Sequence, residues 1–173
     1  MDPRRLPQGD PRLLESDVAR RLLASALPAR VAYVSMDGTP RVVPTWFHWT
    51  GDEVVMPTFI SAPHVSHPAA RLRALRANPS VAISIDTDEF PPEVLSIRGR
   101  ATMADVDGVV PEYAAAARRY LGEEAASTYL AQIDVPGTRM SRIAVRPTWV
   151  GILDFHTRLP DTLGGVADPS EKS

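Results

Sequence analysis

Apolar residues first recur at helical spacing at Val18, Leu22, Leu23, Ala26 and Leu27. Ser16 can cap that helix, Asp17 suits its first turn and Pro28 ends it. The period then changes to two. Residues 30–36 read as a strand, and Asp37-Gly38 is a hairpin turn signal because both turn positions tolerate positive φ. Residues 39–49 alternate as a second strand. Arg41, Val43, Thr45, Phe47 and Trp49 share one side, and Val42, Pro44, Trp46 and His48 the other. After a turn at residues 50–52, residues 53–58 predict a third strand, so the opening is an antiparallel meander.

Residues 59–67 read as a loop, with Ser66 a possible cap for a short helix marked by Ala69, Leu72 and Leu75. Asn78-Pro79 stops that helix, residues 80–86 form a compact apolar strand, and residues 87–93 an acidic loop. Residues 94–104 alternate Leu95, Ile97, Gly99, Ala101 and Met103 against a basic side holding Arg98 and Arg100. Two amphipathic helices follow. The first holds Val110, Tyr113, Ala117, Tyr120 and Leu121, the second Ala126, Leu130 and Ile133. Residues 141–155 close the chain as a long strand, with Ile143, Val145, Pro147 and Trp149 opposite Arg142, Ala144, Arg146 and Thr148. About six strands and four helices in this order predict a mainly β fold, an antiparallel barrel with helices packed outside.

Composition narrows the function. The 173 residues suit one domain, expected over residues 16–159, with tails at 1–15 and 160–173. No cysteine is present, which excludes disulfides, iron–sulfur clusters and thiolate chemistry. A formal charge of −2 argues against a nucleic-acid or membrane-surface binder. No signal-peptide pattern or long apolar run occurs, so a cytoplasmic protein is expected. Of the 19 basic residues only Lys172 is a lysine, so an anion would be held by guanidinium groups.

Four constellations can carry chemistry. Thr58 and Ser61 precede Arg71, Arg73 and Arg76, the donors and charge that a phosphate needs; the plainer reading is a solvated arginine face. Pro44 and Pro57 interrupt neighbouring strands, which suggests a local opening, and Trp46 and Trp49 could stack on a planar cofactor or sit half-buried in the core. His64 and His67, with His48 and His156 elsewhere, lack the carboxylates and thiols of a metal site, and haem ligation is no more specific. Arg98, Arg100, Arg142 and Arg146 could receive an anion or simply pair with acids such as Asp86, Asp88 and Glu89. No hydrolase, Walker or dinucleotide motif occurs, so redox chemistry on a bound cofactor stays open.

The segments VAYVSMDGTPRVVPTWFHWTGDEVVM, ARLRALRANPSVAISID, LSIRGRATM and RIAVRPTWVGILDF, in this order, resemble the pyridoxamine 5′-phosphate oxidase-like flavin and deazaflavin proteins. The resemblance spans residues 29–154. It implies a six-stranded antiparallel split β-barrel of the FMN-binding type, a homodimer with two cofactor sites between the protomers. It implies FMN or F420 as cofactor and hydride transfer to or from a small organic substrate. By the same resemblance Val42, Val43, Pro44, Thr45 and Trp46 lie against the ring. Met56, Pro57 and Thr58 sit near ring and phosphate, with Ser61 beside them. Arg71 takes the phosphate role that many members give to lysine, and Arg146 and Trp149 reach the partner's cofactor. The loop at residues 59–67 is longer and richer in proline and histidine than the family pattern. The alternative is a cofactor-free or haem- or small-ligand-binding split barrel with a regulatory role.

Overall fold

The computed structural model describes residues 6–155 and 157–159. The expected tail at 160–173, with Lys172, and His156 lie outside the described residues. Ser16 caps α1 (Asp17–Ala24), its hydroxyl accepting from the Ala19 N–H at 3.2 Å. β1 (Ala29–Val34) and β2 (Pro40–Thr45) form the expected hairpin. Asp37 holds its turn by accepting from the Thr39 N–H at 3.0 Å, and Gly38 takes the positive φ of 79° that the turn requires.

From there the chain departs from the expected single strand over residues 39–49. It breaks after Thr45, and β3 is only His48–Trp49. The expected strand at 53–58 is likewise split into β4 (Val54–Val55) and β5 (Thr58–Ser61), so the expected loop at 59–67 begins as strand. The helix after it, α2, spans Ala70–Ala77 with Ala69 as its uncapped start, so Ser66 is not its cap. β6 (Ser80–Asp86) and β7 (Val94–Asp107) follow, then α3 (Pro111–Leu121), α4 (Glu123–Ile133) and β8 (Arg139–Leu153). The described residues therefore hold eight strand segments where about six were expected, all paired antiparallel in the order β2-β1-β6-β7-β8-β4-β3, with β5 also on β8. No helix of the described residues is long and apolar enough to cross a membrane.

β8 has two buried faces, because successive side chains alternate. Ile143 and Val145 point into the main core with Val31, Met56, Leu72, Leu75, Ile83 and Ile97. Met140 and Ala144 are buried on the other face, where Arg142 donates to Glu112 at the start of α3 at 2.8 Å. Residues 6–15, expected as a tail, are built into the fold. Leu13 has 0% exposure, the Gly9 N–H donates to the Val150 carbonyl at 2.8 Å, and Pro11–Glu15 is a short 3-10 helix.

Candidate functional site

Five strands and one helix meet around Arg71. Met56 is tied to β8 by its N–H, which donates to the Ile143 carbonyl at 2.7 Å, and two residues later Thr58 pairs with Ser141. α2 turns its apolar Leu72 and Leu75 into the core, and Arg71 comes in beside them. A narrow cavity of about 10 Å³, room for one water, lies between Thr45, Met56, Arg71, Leu75 and Ile143, with Val31, Tyr33 and Val81 closing it.

Arg71 is electrostatically exposed to an unmet demand. Its Nη2 donates to the Thr58 hydroxyl. Its Nε is buried and has no hydrogen-bond partner, and no carboxylate among the described residues pairs with it. Burial works against its charge and lowers its pKa from the ordinary arginine value, and Tyr33 opposes that weakly. A half-buried guanidinium with a buried free donor and no counter-ion is what an anionic ligand would complete.

The family assignment rests on the match of residues 16–151 to the model of the pyridoxamine 5′-phosphate oxidase family. The chain belongs to that family. Solved structures agree on the fold. An F420 reductase matches at 27% identity and TM-score 0.56, covering 75% of this chain and 93% of that one. The protein Rv2991 of Mycobacterium tuberculosis matches at 18% identity and TM-score 0.56, covering 80% and 84%. A heme-binding protein of Mycobacterium smegmatis matches at 21% identity and TM-score 0.54, covering 83% of this chain and 55% of that one. Among curated proteins, none matches significantly.

Of the residues that the family pattern singles out, Thr45, Met56 and Arg71 line one cavity, and Thr58 joins them through its bond to Arg71. Pro57 is buried between Met56 and Thr58. Val43 packs against the core, while Val42 is 64% exposed and Pro44 is exposed, both on the edge strand β2. The others already have partners. Trp46 stacks on Tyr120 at 5.2 Å and 8°, with Tyr113 and Tyr129 around it. The Ser61 hydroxyl donates to the Gly137 carbonyl at 2.7 Å. Arg146 pairs with Asp52 at 2.6 Å, and Trp149 lies under the Arg98 guanidinium at 4.0 Å. Arg76 is held by Asp105, whereas Arg73 is exposed. His64 is exposed and meets Phe59 edge-on at 4.9 Å. No group of three metal-ligating side chains occurs among the described residues.

Tyr33 and Ser141 were not singled out in the sequence. Ser141 shares the register of Ile143 and Val145, so a hydroxyl stands in an apolar row. That is the signal that could have found it.

Proposed function

We propose that this chain binds a phosphorylated flavin-type cofactor, FMN or F420, and transfers a hydride between it and a small organic substrate. The observation that carries the reading is the half-buried Arg71, bonded to Thr58, with its buried Nε unpartnered and no acid beside it. These residues fit a phosphate, because they offer donors and a fixed positive charge. The cofactor, when bound, supplies the hydride chemistry. Thr58 and Arg71 would hold its phosphate, and Val43, Pro44, Thr45 and Met56 would border its ring. β2 supports that role: among the described residues no strand pairs with its outer edge, and Pro44 has no N–H to offer one. The 27% identity to an F420 reductase over most of both chains supports the same class. A homodimer belongs to this reading, with the exposed apolar side chains of Val34, Met36 and Val42 at the joint.

Incubating the purified chain separately with FMN, F420 and haem, desalting it and recording the visible spectrum tests this. A retained flavin or deazaflavin band is expected. A Soret band, with neither flavin nor deazaflavin retained, would replace the reading with a haem-binding one.

A further inference from the structure

Strands β5, β8 and β7 lie side by side, and their register sets three polar residues in one row. Thr58 pairs with Ser141, and Ser141 with Asp105. Directly paired residues on antiparallel strands point to the same face. Two residues along, that face carries Met56 and Ile143, which line the cavity. α2 reaches the two outer members: Arg71 donates to Thr58, and Arg76 donates to both carboxylate oxygens of Asp105 at 2.9 Å. The middle member has no such partner. Ser141 is 0% exposed, and its hydroxyl makes no hydrogen bond.

Of the three unmet buried donors among the described residues, the Ser141 hydroxyl and the Arg71 Nε lie on residues that both adjoin Thr58, and the third, the Arg119 Nε, lies elsewhere, beside Phe47. Leaving a buried polar group unpaired is costly, so each such group calls for an explanation. Asp105, the one acid in the row, is neutralised by Arg76. The row therefore presents donors and net positive charge.

We propose that Ser141 is an anion-binding residue that holds the phosphoryl group of the ligand together with Thr58 and Arg71. The inference rests on the cofactor reading above and extends it by one residue that the sequence motifs do not mark. A merely structural serine behaves differently from a binding one. Removing an unpaired buried hydroxyl leaves the free protein equally stable or more stable, while removing a ligand donor weakens phosphate binding.

The test is Ser141→Ala beside wild type, with FMN and its phosphate-free counterpart riboflavin as probes, and inorganic phosphate as a third. In phosphate-free buffer the variant's Tm should equal or exceed the wild-type value. Its Kd for FMN should rise roughly tenfold or more, the range for a hydrogen bond to a charged group, with the riboflavin Kd unchanged. Unchanged FMN affinity would overturn the proposal and leave the hydroxyl to a buried water. Equal losses for FMN and riboflavin would overturn it too. If neither flavin binds, FMN falls as the cofactor and the phosphate arm decides the role of Ser141. Phosphate raising the Tm of wild type but not of the variant supports the anion role, and equal shifts contradict it.

Discussion

Arg71 shows what a single residue can reveal before the fold is known. Its type and its place beside Leu72 and Leu75 follow from the sequence, as does Thr58 at a strand end. Their hydrogen bond does not, since it needs α2 to lie against β5. Trp46 shows the opposite case. Its aromatic ring suggested a cofactor stack, but Tyr120 takes that face, because α3 brings Tyr113 and Tyr120, and α4 brings Tyr129, to the same strand break. Ser141 stands out in the sequence only as a hydroxyl in the apolar row of Ile143 and Val145; that it is buried without a partner follows from β8 lying between β5 and β7. At this scale the expected outcome is that Arg71→Ala weakens cofactor binding by about 1.5–3 kcal/mol, the range for hydrogen bonds to charged groups. Isothermal titration against FMN and F420 measures it. An unchanged Kd would put the phosphate elsewhere.

At the scale of elements, the hairpin, α1 and the long β7–β8 ladder were legible because each follows one period and ends on a clear stop. The break between β2 and β3 was not. Trp46 packs on Tyr120 while the next residue, Phe47, has 0% exposure, and two consecutive aromatics that both pack against the protein do not fit a strand of period two with one buried face. Residues 6–15 were illegible for another reason: Leu6 and Leu13 are buried by tertiary packing in a stretch with no period. The short β3 carries a pH response. Burial lowers the His48 pKa, Arg119 adds to this, and Glu112 opposes it. Below the ordinary histidine value of about 6.5, the unfolded chain takes a proton that the folded one resists. His48 therefore supports the fold fully above that pH and progressively less as pH falls. The Tm of wild type should fall more steeply than that of His48→Gln between neutral and mildly acid pH. Parallel Tm curves would place the acid sensitivity on other groups.

On the scale of the whole molecule, the β2 edge of the sheet has no strand paired to its outer side among the described residues. β2 ends the sheet, and Val34, Met36 and Val42 stand exposed on its hairpin. In the proposed homodimer a second copy of this chain would cover them and complete the site between protomers. Val42→Asp should leave the stability of the single chain nearly unchanged, within about 0.5 kcal/mol for a surface change. It should shift the protein toward monomer in sedimentation and weaken cofactor binding at the same time. A dimer of unchanged strength would move the interface to another face. The central claim is that this fold holds a phosphorylated flavin-type cofactor on Arg71 and Thr58. Titration of the purified wild-type chain with FMN and with F420, followed by the fluorescence of the ring, tests it most directly. A saturable change at micromolar concentration with at least one of them is predicted, and no change with either would contradict it.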